Sequence, residues 1–229
     1  MFKKENALES DRVFSVFTKD FGRTEIFGKA VRKIGSKLRG GIEIFAFSEI
    51  EFVEGRNRKT LTDSTFKEKF KDIPLIPLKM ETAYKISETI DGFVRGEERD
   101  DKIFNLLRDV FRKINDCEKP NIAYVYFFWN FVSVLGYRPE LTKCAVCLQK
   151  LNPYSLYFSS KDGGIICRNC ARGYGLKVKS DIVKILRLAV SKNWDILRRL
   201  KLSDSVLKSL QEISQNYQNY LSLSALRAK

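Results

Sequence analysis

Between residues 11 and 63 apolar and polar side chains alternate, and the alternating stretches are rich in Val, Ile, Phe and Thr. "RVFSVFT" (12–18), "TEIFGKA" (24–30), "IEIFAFSEIEF" (42–52) and "KTLT" (59–62) each read as a strand, because a period of two puts every second side chain on one face of a sheet. "KDFG" (19–22) and "EGRNR" (54–58) are the turn candidates between them. Four or five short strands with glycine-containing turns predict a small closed or nearly closed barrel. An open antiparallel sheet covered by helices is the alternative that periodicity leaves standing.

After "DIPLIPLK" (72–79) the period changes from 2 to 3.6. Leu78, Ala83, Ile86, Ile90 and Phe93 mark a first helix, ended by Gly92 or Gly96. Asp100 or Asp101 can cap a second, which carries Ile103, Leu106, Leu107, Val110 and Ile114. Pro120 opens a third, "NIAYVYFFWNFVSVLG", which Gly136 closes with Pro139 beyond. This helix is apolar nearly all the way round, so it predicts the buried centre of a bundle, and its aromatics read as core rather than as stacking platforms. Two more helices, roughly 181–200 and 204–223, are expected to complete that bundle.

A chain of 229 residues with 44% hydrophobic residues can build real cores. No run of 18 or more apolar residues occurs, and "MFKKENALESDR" has no apolar middle, so a cytoplasmic protein is expected. Its thiols should then stay reduced. The net charge of +14 is unevenly spread: residues 1–70 carry +4, residues 71–140 carry −1 and residues 141–229 carry +11. Two basic ends around a neutral middle point to a polyanion partner such as nucleic acid. Histidine is absent, which removes the commonest general acid/base, the Ser-His and Cys-His nucleophiles and every imidazole metal ligand.

Cys144, Cys147, Cys167 and Cys170 form C-x2-C-x19-C-x2-C, a spacing that suits a four-cysteine zinc site. Four thiolates fill a tetrahedron and leave no position for water or substrate, so the metal is expected to be structural, one ion per chain. The intervening "YSLYFSSKDGGIIC" reads as a hairpin turned at Asp162, Gly163 and Gly164, and the whole as a zinc ribbon inserted between helices. Cys117, between Asp116 and Glu118, reads as an inert thiol at a helix end.

In "GKAVRKIGSKLRGG" (28–41), Lys29, Arg32, Lys33, Lys37 and Arg39 stand with no acid among them, and glycines at 28, 35, 40 and 41 predict a mobile, open loop. Such a loop can follow a phosphate backbone without reading bases. It lacks the spacing of a nucleotide-binding P-loop. A second basic stretch, 177–203, carries Lys177, Lys179, Lys184, Arg187, Lys192, Arg198, Arg199 and Lys201 against two acids. Acidic clusters such as "GEERDD" (96–101) offer a rival reading as a metal-dependent nuclease through Asp100 or Asp101, and this run suits a solvated loop and helix start better.

"ESDRVFSVFTKDFGRTEIFGKAVRKIGSKLRGG" (9–41) and "LGYRPELTKCAVC…YSLYFSSKDGGIICRNC" (135–170) resemble the RecO family of bacterial recombination mediators, as does the order of parts along the chain. The resemblance implies an α+β multidomain protein: an N-terminal small β-barrel of the OB-fold (1–72), an α-helical bundle in two parts (73–140 and 176–229) and an inserted four-cysteine zinc ribbon (141–175). It implies binding of single- and double-stranded DNA, annealing of complementary strands and help in loading recombinase, without catalysis. The implied partners are RecR and single-stranded-DNA-binding protein. By position in the matched loop, Lys29, Arg32, Lys33, Lys37 and Arg39 would contact DNA. An RNA-binding zinc-ribbon protein of the ribosome or transcription machinery would share the charge and the cysteines.

Overall fold

A computed structural model describes residues 2–7 and 9–227, without the side chains of residues 39 and 225–227, and the chain divides into two units, Met1–Glu118 and Lys119–Lys229. Among the described residues no helix is long and apolar enough to cross a membrane.

The first unit holds five strands: β1 (Lys3–Asn6), β2 (Arg12–Thr18), β3 (Gly22–Gly28), β4 (Phe47–Glu54) and β5 (Lys59–Glu68), in the spatial order β1-β2-β3-β5-β4. All neighbours are antiparallel except β3 and β5, which run parallel and pair only as Ile26 with Lys59 and Phe27 with Thr60. The inward residues Phe14, Val16, Ile26 and Leu61 form a core with Val31 and Ile42 from the intervening segment, as the alternation requires.

The sheet is mixed, and the barrel expected from the strand count is not closed. The outer strands β1 and β4 do not pair with each other. β1, "KKEN", is short and exposed throughout, so it has no apolar face with which to cover a second edge. The stretch 42–52 is also not one strand. Ile42 and Phe45 are buried as expected, but Phe45 adopts a φ of +57°, which strand backbone cannot hold, and β4 begins only at Phe47.

Two helices complete this unit, α1 (Pro77–Phe93) and α2 (Asp101–Asp116). Asp100 caps α2, accepting from the amides of Lys102 at 2.8 Å and Ile103 at 2.9 Å. Asp101 forms an exposed ion pair with Arg99, which lies just outside the helix, at 2.9 Å.

The second unit is built on α3 (Pro120–Val134), in which every side chain from Ile122 to Val132 is buried. It packs against α5 (Ser180–Val190) and α7 (Asp204–Arg227). Asn130, the polar residue of that run, is satisfied by donating to the carbonyls of Tyr126 and Ala189, both at 2.8 Å, which ties α3 to α5. The helix expected over 181–200 is broken: α5 ends at Val190, Lys192 takes a φ of +59°, and a short α6 (Trp194–Leu197) follows. The turn at Ser191–Asn193 redirects the chain so that Trp194 meets Tyr126 edge-on, centroids 5.5 Å apart.

Between α3 and α5 lies a three-stranded antiparallel sheet of β6 (Leu156–Ser159), β7 (Gly164–Cys167) and β8 (Leu176–Val178), in the order β7-β6-β8, with a single turn of helix, α4 (Arg168–Ala171), after β7. The hairpin turns where expected. Ser159 Oγ donates to Asp162 Oδ2 at 2.6 Å and accepts from the Asp162 amide, and Gly163 supplies a φ of +65°.

Candidate metal centre and nucleic-acid interface

Two turns bring the four cysteines together. In the first, the Cys144 amide donates to the Gln149 carbonyl, Leu148 donates back to Cys144, and the positive φ of Leu148 lets the chain reverse within five residues. Glu140 fixes the approach: its Oε1 accepts from the Thr142 amide at 2.7 Å and hydroxyl at 2.5 Å, and from the Lys143 amide. These bonds, the Thr142 hydroxyl first, hold the Glu140 carboxyl below its ordinary range. In the second turn, Cys167 ends β7 and Cys170 lies in α4. The turns are joined by the Ala145 amide donating to the Ile165 carbonyl at 2.8 Å and the Cys167 amide donating to Cys144 Sγ at 3.4 Å.

All four sulfurs lie within 4.8 Å of one another, and Cys147 Sγ and Cys167 Sγ are 3.8 Å apart, too far for a disulfide. A tetrahedron of sulfurs about 2.3 Å from one ion has edges of about 3.8 Å, so the separation suits a shared metal. The electrostatic surroundings of the thiols suit one as well. Desolvation works against the Cys144 thiolate, but the amides of Cys147, Cys167 and Val146 outweigh it and its pKa falls to about 6. Cys170 is pushed up to about 12, by desolvation first and then by the neighbouring sulfurs. One thiolate forms easily and the last is opposed by the others, a conflict that a divalent cation relieves.

The ribbon backs onto its own entry strand with no room to spare. A Cβ on Gly164 would lie 2.3 Å from the Glu140 carbonyl oxygen, the atom that accepts from the Ile165 amide. Gly164→Ala is therefore expected to destabilise the second unit by roughly 3 kcal/mol, read as an earlier denaturant midpoint. An unchanged midpoint would mean that Glu140 and Gly164 are not in contact.

The basic segment is less open than its glycines suggest. The Ala30 amide donates to Asp11 Oδ1 at 2.7 Å, the Arg32 amide to the Ser10 carbonyl and Arg32 Nη1 to the Glu9 carbonyl. Val31 is buried in the sheet core, and residues 37–40 form a 3-10 turn fastened by Ser64 Oγ donating to the Leu38 carbonyl. The segment is thus a turn pinned at both ends, by Val31 and the Ala30 and Arg32 amides on one side and by Leu38 on the other, with its cations and Ile34 facing outward between them. Lys29, Arg32, Lys33 and Lys37 are all exposed, and among the described residues none pairs with an acid. The Arg39 side chain lies outside the described residues.

The second basic stretch is partly consumed by structure. Arg187 donates twice to the Leu141 carbonyl, Lys184 pairs with Asp181, and Arg198 pairs with Asp195. Lys177, Lys179, Lys192, Arg199 and Lys201 remain outside these pairs.

Sequence reasoning missed two groups in the first unit. Lys59 is buried, donates to Glu97 Oε2 and to Thr24 Oγ1 at 3.3 Å, and holds the Glu97 carboxyl below its usual range. Phe21, Phe47 and Phe52 line one cleft. The only local signal was an aromatic in the turn "KDFG", where a polar residue would be ordinary.

Two family profiles match the chain: Recombination protein O N terminal over residues 2–70 and Recombination protein O C terminal over residues 79–229. Among similar curated proteins, the DNA repair protein RecO of Dehalococcoides mccartyi (strain ATCC BAA-2266 / KCTC 15142 / 195) is 32% identical over 91% of this chain and 83% of its own length. Those of Roseiflexus sp. (strain RS-1) and Desulforamulus reducens are 26% and 27% identical, each over 96% of this chain and over 78% and 86% of their own lengths. With both halves matched and the four cysteines assembled between the helices, the chain belongs to the RecO family of DNA repair and recombination proteins.

Proposed function

We propose that this protein is a non-catalytic recombination mediator of the cytoplasm that binds single- and double-stranded DNA, anneals complementary strands and helps load recombinase, working with RecR and single-stranded-DNA-binding protein. The observation that carries the reading is the turn at residues 29–37, which presents four exposed cations that have no acidic partner among the described residues and is pinned at both ends. Lys29, Arg32, Lys33, Lys37 and Arg39 neutralise phosphates; neutralising two strands at once lowers their mutual repulsion until complementary bases meet. No proton transfer is required, which fits a chain without histidine.

Cys144, Cys147, Cys167 and Cys170 hold one Zn2+ in this reading. The ion supplies cross-linking of the two turns, and the chain's own contribution to DNA binding lies in its lysines and arginines. The OB-fold assignment for residues 1–72 rests on the family, with the sheet open rather than closed.

The test is annealing of complementary oligonucleotides by the purified protein over a series of salt concentrations. Lys33→Glu together with Lys37→Glu should weaken binding and reduce the slope of log affinity against log salt by roughly 1.5, because each lost phosphate contact removes about 0.7–0.9. An unchanged slope would remove this turn from the interface. Preference for structured RNA over single-stranded DNA at fixed salt would favour a role in the ribosome or transcription machinery instead.

A further inference from the structure

The hairpin tip of the first unit carries an aromatic facing water. Phe21 is 42% exposed, yet it is not loose: its amide donates to Thr18 Oγ1 at 2.9 Å, and it packs edge-on against Phe52 of β4 with centroids 5.2 Å apart. The next residue, Gly22, holds a φ of +60° and sits where a Cβ would meet the Glu98 carbonyl oxygen at 2.0 Å, so the tip is clamped from behind. Lys59 Nζ lies 5.4 Å from the Phe21 ring and 5.8 Å from the Phe52 ring, and Glu97 and Thr24 fix the ammonium. The aromatic pair is held before any ligand arrives.

These rings border an open cleft of about 360 Å³ lined by the end of β2, the turn after it, β4 and α2. Phe47 forms another part of the wall, beside Phe104 at 5.9 Å and under the Arg108 guanidinium at 6.0 Å. The volume falls at the lower end of the range of small-molecule sites, roughly 300–1,000 Å³. Its charge is balanced. Lys19, Lys67 and Arg108 face Asp20, Glu43 and Glu49, and Lys67 already pairs with Glu49. A balanced rim does not concentrate phosphate; it suits a flat, uncharged group with donors and acceptors on its edge. The cleft also continues the basic turn along the chain, since Ile42 and Glu43, which line it, follow directly on residues 29–41.

We propose that this cleft takes an unpaired base of single-stranded DNA, stacked on the rings of Phe21 and Phe47, while the neighbouring basic turn holds the backbone. The proposal rests on the DNA-binding reading above. It adds a discrimination which that reading lacks, because phosphate contacts alone do not select a single strand over a duplex, whereas a base in a duplex is already stacked and cannot enter.

The test compares binding of a short oligothymidylate and of a duplex of equal length at fixed salt, with the full chain and its Phe21→Ala, Phe21→Trp and Phe47→Leu variants. Phe21→Ala and Phe47→Leu should bind the single strand about tenfold more weakly, the scale of one lost stacking contact, with duplex binding unchanged. Phe21→Trp should keep single-strand affinity and show quenched indole fluorescence on binding. Single-strand affinity unaltered in Phe21→Ala, or single-strand and duplex affinity falling together, overturns the cleft while leaving DNA binding in place. A full chain that binds neither form overturns the DNA-binding reading and the cleft with it.

Discussion

Cys144→Ser should strip the metal from the protein and lower the unfolding midpoint of the second unit by roughly 15 °C, the shift expected for about 3 kcal/mol in a domain of this size. The residue is fully buried and forms a small core with Ile166 and Ala171, while its sulfur accepts the amide of Cys167 in the other turn. The β6 side of the ribbon is buried against the helices through Leu156, Phe158 and Ile165, but the two cysteine turns have only this small core, so in the zinc reading proposed above the cross-link carries their share of the stability. A chelator acting on the unaltered protein should produce the same shift. So should acid: the metal-bound ligands are thiolates, the unfolded chain takes up protons on the same sulfurs, and stability therefore rises with pH and is lost as pH falls. Metal content and calorimetry on the same samples give the measurement. A variant that kept its midpoint and lost only DNA binding would move the metal from a structural role to a direct one.

Trp129→Ala should cost about 3–5 kcal/mol, the largest effect expected of a substitution in the helices. The indole has no exposed surface, stacks on Tyr217 with centroids 5.5 Å apart at 14°, and meets Phe158 of β6 edge-on at 5.6 Å. Its Nε1 donates to Ser214 Oγ at 3.1 Å. One residue thus joins α3, α7 and the ribbon sheet. Trp129→Phe keeps a ring in the stack and loses the hydrogen bond, so a loss of roughly 1–2 kcal/mol is expected. Ser214 still donates to the Leu210 carbonyl, which leaves its hydroxyl satisfied. Denaturant titration followed by circular dichroism separates the two, and equal losses would show that the ring contacts contribute little.

What was legible in the chain was local. C-x2-C-x19-C-x2-C brings its sulfurs together because each pair needs only one turn, and Asp100, Gly136 and the Asp162–Gly164 turn act within a few residues of themselves. What was hidden depends on distant partners. Phe45 leaves the strand pattern because its ring packs on Tyr84 and Phe111, at 5.0 and 5.5 Å, and Lys59 is buried because Glu97 and Thr24 receive it. β1 and β8 pair with strands that supply the regularity their own sequences lack. The glycines of the basic segment predict mobility, but the groups that anchor it, Asp11 and Ser64, stand outside it.

The two-residue parallel seam between β3 and β5 has a kinetic meaning. The β2–β3 and β4–β5 pairs are hairpins whose contacts close short loops, and such elements form within microseconds. Joining them requires closing the segment that runs from residue 28 into β4, and the backbone ladder between β3 and β5 contributes only two residue pairs, so the return comes from the shared core of Phe14, Val16, Ile26 and Leu61. Closure of that segment is therefore expected to be the slow step of sheet assembly, and the Lys59 ammonium, reaching Thr24 on β3 from the first residue of β5, adds a side-chain bond across the same seam.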